Sequence, residues 1–372
     1  MQKGNPRIVF AAGGTGGHLF PAISIAEEIK KIDSAAEFLF VGTRGKIEER
    51  IVPEHGYPLR TIWISGVARS FHARNFLVPV KIIVSLMQSL ALIRNFHPHV
   101  VVGTGGYVTG PVLFAATLLH IPTLIQEQNS YPGFTTRKLA RRVSEIHVGF
   151  EVTSEFLKSA KSVKVSGNPT RDALGTIGRE EAANFFHLDP RVKTLLVFGG
   201  SLGAASINAA VLEFVDDLKA NGFQVIWQTG ERDLEKIRLA TAAMAGRHVE
   251  RFIERMEYAY AAADLVVCRA GAITIAELTR VGKAAVLVPY PHAAAGHQLS
   301  NAKMLVDAGA AALVLNHELV PKLRDVVFKL LQDGHQREEM ARRSGSLGKP
   351  HAARRIAEAV LSLAALTQQI HG

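Results

Sequence analysis

Apolar residues along this chain come in short unbroken runs. RIVFAA begins at Arg7, AEFLFVG at Ala36, HVVVGTG at His99 and PTLIQEQ at Pro122. The second half repeats the habit with KTLLVFGG from Lys193, FQVIWQTG from Phe223, LVVCRAG from Leu265 and AAVLVPYP from Ala284. A short run without polar alternation is the signature of a strand covered on both faces. Between the runs, apolar positions return at helical spacing, as with Ile23, Ala26 and Ile29. Strands alternating with helices predict an α/β protein of parallel sheets built from βαβ units. The first glycine turn opens at Gly13 and a matching one at Gly199, 186 residues later and half the chain length on. The pattern therefore predicts two Rossmann-like parallel-sheet domains facing a central cleft. We place them at residues 1–168 and 169–350, divided near VSGNPTRDAL (165–174), where Gly, Asn and Pro interrupt the pattern. Residues 351–372 read as a helix packing back toward the first domain.

Three strand ends run into glycines: AAGGTGGHLFP from Ala11, VVVGTGGYVTGP from Val100 and LLVFGGSLGAAS from Leu195. A strand-to-helix turn aims free backbone N–H groups and the positive helix end at one spot, and glycine lets an anion or a sugar touch that backbone. Gly13, Gly14, Gly103, Gly105, Gly106, Gly199, Gly200 and Gly203 are thus expected to face a phosphate or an acceptor. GGTGGH lacks the last glycine of a dinucleotide fingerprint, since Leu19 stands there, and AEFLFVG ends without the acidic residue that holds a dinucleotide ribose. No phosphate-binding G-x-x-x-x-G-K-[ST] occurs. In CRAGAITIAELTRVG, Glu277 falls in the second turn of a helix, where a carboxylate can accept two hydrogen bonds from a ribose diol. The polar loop VPYPHAAAGHQLSNA brings Gln298 to a strand end as a reader of sugar hydroxyls. No metal site is expected. No D-x-D pair exists, HPH at 97–99 has no carboxylate or cysteine nearby in sequence, and Cys268 sits in an apolar strand as a core residue.

Charge adds a surface to this picture. The net charge is +10, and residues 1–171 carry 20 Lys and Arg against 11 Asp and Glu. Between residues 56 and 142 nine basic residues face a single acid, Glu127. Such a field suits nucleic acid or an anionic membrane surface. Aromatic content of 7% with no interleaved aromatic and basic platform speaks against nucleic acid. NFLVPVKIIVSLMQSLALIRNF, from Asn75, reads as a helix apolar on more than one face. Core packing explains part of it. The other part, Phe76, Leu77, Val80 and Val84 with Arg74, Lys81, Arg141 and Arg142, is expected to dock on a membrane from one side. The single cysteine suits a reducing compartment, and the first strand follows Met1 too closely for a leader segment. The expected location is the cytoplasmic face of the cell membrane.

The motifs GGTGGH, GTGGY, EQNSYPG, GNPTR, GGSLGA, RFIERM, CRAGAITIAE and HAAAGHQLSNA, in this order from residue 13 to about 301, resemble the MurG family. These are bacterial GT-B transferases that move N-acetylglucosamine (GlcNAc) from UDP-GlcNAc to lipid I in peptidoglycan synthesis. The resemblance implies an inverting transfer to the C4 hydroxyl of MurNAc, giving lipid II for cell-wall growth, with no cofactor. It implies that Ile253 meets uracil through its backbone and that Glu277 holds the ribose. Ser201 would face the diphosphate, Ala272, Ile273, Thr274, Ile275 and Ala276 would line the donor pocket, and Gln298 would lie near the GlcNAc hydroxyls. Thr15, Gly16, Gly17, Asn129 and Arg171 would close over the donor. Gln126 before EQN and His297 before Gln298 depart from some relatives. The attacking hydroxyl needs a base, and His18, at the head of a helix with an imidazole pKa near ~6.5, is either that base or a hydrogen-bond partner of substrate phosphate. Glu127 is the other candidate base. Two other readings share the plan: a UDP-GlcNAc 2-epimerase, and another GT-B transferase with a lipid acceptor. Expected partners are UDP-GlcNAc, lipid I, the anionic inner-membrane surface and other peptidoglycan-synthesis proteins.

Overall fold

A computed structural model describes residues 4–65, 78–200, 203–293 and 296–371. The two parallel-sheet domains expected from the apolar runs are present. The first compact unit comprises residues 1–170 together with 350–372, and the second residues 171–349.

The first unit carries a seven-stranded sheet: β1 (Arg7–Ala12), β2 (Glu37–Gly42), β3 (Leu59–Thr61), β4 (Val100–Gly105), β5 (Thr123–Glu127), β6 (Glu145–Val148) and β7 (Val163–Val165). Its order is β3-β2-β1-β4-β5-β6-β7, parallel throughout. The strand order reverses direction between β1 and β4, the place where open α/β sheets bind ligands beyond the strands' carboxyl ends. The first and second glycine turns leave from these two strands. One face of the sheet packs on helix α1 (Gly16–Ile32) and on Ala352–His371, whose Ile356, Val360 and Leu363 are buried beside Leu19, Ile25 and Ile29. Thr367 ties that last helix to the sheet by donating to the His99 carbonyl at 2.9 Å. After α2 (Glu48–Glu54), the other face is covered by α3 (Val78–Phe96), α4 (Thr109–Leu118) and α5 (Phe134–Leu139).

Helix α3 turns two serines inward beside its core-facing apolar residues. Its buried residues are Ser85, Ser89 and Ile93, and both serine hydroxyls bond back to carbonyls of their own helix, at Ile82 and Ser85. Small satisfied hydroxyls let the helix approach its neighbours closely. Ile93 is buried and Leu86, Leu90, Leu92 and Phe96 pack against the core, whereas Ile83 and Met87 point outward at 61% and 66% exposure. The HPH segment has a structural job: His99 takes the Arg7 N–H on its Nδ1 at 3.0 Å and donates its own N–H to the Arg7 carbonyl.

The second unit has six strands: β8 (Thr194–Phe198), β9 (Gln224–Gln228), β10 (Arg247–Glu250), β11 (Leu265–Cys268), β12 (Ala284–Leu287) and β13 (Ala312–Leu313). Their order, β10-β9-β8-β11-β12-β13, repeats the first plan, and the reversal lies between β8 and β11. The third glycine turn follows β8, and the Glu277 helix, Ala272–Val281, follows β11. Trp227 and Phe214 anchor the core, and Cys268 is buried at the end of β11.

A buried polar group marks the first unit's far edge. His147, on β6, has Nε2 at 3.1 Å from Glu145 and Nδ1 at 2.7 Å from the Ser166 hydroxyl. Burial holds the His147 pKa below its ordinary value, more than Glu145 raises it. Lys164 and His147 hold the Glu145 carboxyl below its usual range against the opposing effect of burial. A folded imidazole that resists the proton adds nothing to stability above the unfolded histidine pKa of ~6.5. It costs stability as pH falls below that value, because the unfolded chain takes the proton first. Glu145 acts in the same direction lower down, its contribution vanishing as pH falls through its depressed pKa. Urea midpoints measured at pH 7.5 and 5.5 should therefore drop toward acid, and His147→Gln should drop less; an identical decline in the variant would assign the effect to other groups.

Candidate functional site

In the first unit the site is assembled at the carboxyl ends of β1, β4 and β5. After Ala12 the chain turns through Gly13 and Gly14, and α1 begins at Gly16 behind an extended Thr15. His18 stands in that first turn. Its Nδ1 lies 3.3 Å from the Gly13 carbonyl and 3.3 Å from the Thr15 hydroxyl. A carbonyl only accepts, so the Gly13 contact is a hydrogen bond only in the tautomer with the proton on Nδ1 and the lone pair on Nε2.

The glycines answer mostly to protein and not to ligand. A Cβ on Gly13 would fall 2.3 Å from the Glu48 carboxylate, and one on Gly103 would meet Thr109 and Leu113. One on Gly105 would lie 2.4 Å from the His18 ring, and one on Gly106 would lie 2.3 Å from the Gly13 carbonyl. In the second unit, Gly199 is pressed by Ala204 and Gly203 by the Thr229 carbonyl. Six of the eight expected ligand-facing glycines are therefore bare because neighbouring chain fills the space. Gly14 and Gly200, at φ 86° and 139°, alone among the eight meet open space among the described residues. Gly14 is also committed in part, since its N–H donates to Glu48 at 3.0 Å. Glu48 is fully buried and also accepts from the Thr43 N–H and hydroxyl. A buried carboxylate under the first turn opposes an anion there.

Glu127 is held by its own neighbours. It is 4% exposed, and both its oxygens are occupied. Oε1 accepts from the Asn129 N–H and side-chain amide; Oε2 accepts from the Gly133 N–H at 2.9 Å and the Thr136 hydroxyl at 2.6 Å. A base needs a free lone pair within reach of substrate. Glu127 instead fixes the Asn129 side chain and the start of α5.

The second unit gathers Arg171, Ile253, Glu277 and the helix Ala272–Val281. That helix starts after Gly271 with no side-chain cap, so its positive end is not quenched by a side chain of its own N-cap. Ile273, Thr274 and Ala276 are partly exposed, whereas Ala272 and Ile275 are buried. Glu277 is 8% exposed and accepts from the Tyr260 hydroxyl at 3.0 Å. Burial pushes its carboxyl up, and the Arg171 charge and the Tyr260 bond pull it back. Arg171 donates to the Glu254 carbonyl at 3.1 Å. Gln228 bridges two site segments by donating to the Gly200 carbonyl and accepting the Ile253 N–H, both at 2.8 Å. The N–H half of the Ile253 backbone is thus taken, which leaves a base contact to its carbonyl. Gln298 accepts the Tyr290 N–H at 2.9 Å, so its carbonyl oxygen shapes its own loop. Ser201 lies outside the described residues.

Arg269 escaped the sequence reading, because an arginine inside CRAGA gives no sign of where its side chain goes. It is buried at the end of β11, and its acceptors are neutral: the Val288 and Pro289 carbonyls, Asn316 and the Ser206 hydroxyl. Burial lowers its pKa from the ordinary arginine value. It adds positive field near the strand ends of this unit. Among the described residues no group of three His, Cys, Asp or Glu is placed to hold a metal ion.

Residues 8–148 match the glycosyltransferase family 28 N-terminal domain and residues 194–359 the glycosyltransferase family 28 C-terminal domain. The UDP-N-acetylglucosamine–N-acetylmuramyl-(pentapeptide) pyrophosphoryl-undecaprenol N-acetylglucosamine transferase of Prosthecochloris aestuarii is 45% identical over 364 residues, covering 96% of this chain and 99% of its own. The protein of the same name from Salinibacter ruber is 43% identical over 365 residues, 98% of each chain. Among solved structures, Acinetobacter baumannii MurG superposes with a TM-score of 0.76 at 29% identity, covering 96% of this chain and 99% of its own. The UDP-GlcNAc 2-epimerase of Neisseria meningitidis bound to UDP-GlcNAc reaches 0.64 at 14% identity, with 96% and 100% covered, a likeness of fold alone.

Proposed function

The chain belongs to glycosyltransferase family 28, among its MurG-type transferases, and from that membership we propose that it moves GlcNAc from UDP-GlcNAc to the C4 hydroxyl of MurNAc in lipid I, giving lipid II. The observation that carries this reading is near-full-length identity of 40–45% to transferases of that activity. The epimerase reading has only the shared fold behind it.

The transfer inverts the sugar. The acceptor oxygen attacks C1 as the bond from C1 to the UDP β-phosphate oxygen breaks, so the electron pair leaves on UDP and the hydroxyl proton passes to a base. On the first unit that base is His18 Nε2, which carries the lone pair in the tautomer that donates to the Gly13 carbonyl. On the second unit the departing charge meets the positive start of helix Ala272–Val281, the turn at Gly200 and the Arg171 guanidinium. Glu277 accepts from the ribose hydroxyls, and the Ile253 carbonyl takes an N–H from uracil. Thr15, Gly16, Gly17 and Asn129 approach the sugar, and Gln298 offers its amide N–H groups. Labelled UDP-GlcNAc incubated with lipid I should yield the disaccharide lipid, with or without EDTA. Release of free epimerised sugar nucleotide in place of that lipid would refute the reading.

Lipid I is membrane-bound, and the outward apolar stripe of α3 supports docking on the cytoplasmic membrane face. Val80, Ile83, Val84 and Met87 share that stripe, and the exposed Trp63 lies beside Lys81, whose Nζ is 5.5 Å from its ring centroid. Arg141 and Arg142 are exposed near by in sequence to α5. Arg74, Phe76 and Leu77 lie outside the described residues. At ~1 kcal/mol for each basic side chain near an anionic surface, replacing Arg141 and Arg142 with alanine should weaken vesicle binding about 30-fold at low salt. Sedimentation with vesicles of anionic and of neutral lipid measures it; binding indifferent to salt and lipid charge would exclude the basic residues from the docking, and no binding to either would rule the docking out.

A further inference from the structure

Deepening the reading of His18 as base, on which it rests, we infer that Thr104 is a positioning residue for His18. Thr104, at the end of β4, is fully buried, and its hydroxyl donates to the His18 carbonyl at 2.7 Å. The next residue, Gly105, carries the His18 ring against its Cα, where a side chain would not fit. Main chain and ring of His18 are therefore both held by Thr104–Gly105. Helix α1 needs such a clamp at this point. Pro21 has no N–H, so the Gly17 carbonyl loses its helical donor and the turn bearing His18 is incompletely knit.

Thr104 is fixed from behind in its turn. Its carbonyl accepts from the Gln128 amide, which also donates to the Gln126 side chain. Gln126 donates to Asn168 at 2.9 Å, and Asn168 donates back to the Gln128 carbonyl at 2.9 Å. These three amides are all buried and close a ring. Satisfied polar networks of this kind fix one geometry, because each member left alone would be a costly buried orphan. Asn168 lies against Gly149, where a Cβ would come within 2.4 Å of its amide. The second glycine turn thus works as a bracket for the base.

The test compares Thr104→Val, Thr104→Ala and Thr104→Ser in the full-length protein, alone and combined with His18→Ala, with thermal melting alongside. Valine and alanine remove the hydroxyl, and serine keeps it. Valine or alanine should lower kcat about 10-fold or more with the KM for UDP-GlcNAc within about 2-fold, serine should restore it, and neither should add a further loss to His18→Ala. Full kcat in both Thr104→Val and Thr104→Ala, while His18→Ala is impaired, would overturn the inference and leave His18 standing. An additive loss in the double variant, tracking a lowered Tm, would overturn it too, by making Thr104 merely structural. Wild-type kcat in His18→Ala would instead overturn the reading of His18 and the inference with it.

Discussion

Replacing His18 with alanine is expected to lower kcat by about 10²–10⁴-fold, the range for removal of a positioned general base. The KM for UDP-GlcNAc should stay within a few-fold, because the donor contacts proposed for the nucleotide belong to the second unit. The imidazole stands in the first turn of α1, its Nδ1 faces the Gly13 carbonyl, and the rival carboxylate is spent. Glu127 has four donors on two oxygens. A pH profile separates the roles. With the base intact, kcat should fall toward acid as the imidazole takes a proton, and that limb should vanish in the variant. If His18→Ala kept its kcat and only weakened acceptor binding, the imidazole would be a substrate ligand and the proton would leave by another route.

The second large effect is expected at Glu277. Changing it to alanine removes the acceptor of the Tyr260 hydroxyl and, in the proposed role, two acceptors for the ribose. Hydrogen bonds to a charged group contribute about 1.5–3 kcal/mol, which corresponds to a rise of about 10- to 150-fold in the KM for UDP-GlcNAc. Discrimination against a 2′-deoxyribose donor should shrink in the same variant, because the group that senses that hydroxyl is gone. Steady-state kinetics with both donors measures both quantities. Retained discrimination alongside a raised KM would move the ribose contact elsewhere and leave Glu277 as a partner of Tyr260.

How much of this was legible beforehand depends on what each inference needed. The β8 run TLLVF is apolar throughout after its leading threonine, and burial on both faces follows from such a run alone. The two strand-order reversals then fall at the glycine turns, because a doubly wound sheet puts its first and fourth strands there. What the glycines are for was not legible. Gly105 and Gly106 read as ligand-facing, yet their neighbours are the His18 ring and the Gly13 carbonyl, contacts across 87 and 93 residues of chain that no local pattern encodes. Glu127 was open to the opposite error, since a lone acid in a basic stretch looks chemical until its four donors are seen. Helix α3 could be read as apolar on several faces, but only packing shows that Ser85 and Ser89 turn inward. Thr104 and Arg269 act through long-range hydrogen bonds, and their sequence neighbourhoods carry no trace of them.

The helix from Ala352 to His371 belongs to the core of the first unit, though the second unit separates it from residue 170. On the ribosome, the stretch 171–349 therefore has all its own parts before the opening half does. Chains usually fold as domains in the order of their synthesis. Here the earliest-made sheet waits for Ile356, Val360 and Leu363 to cover Leu19 and Ile29, so a fragment ending near residue 170 should emerge as sticky, incomplete material, while the intervening segment made alone should not.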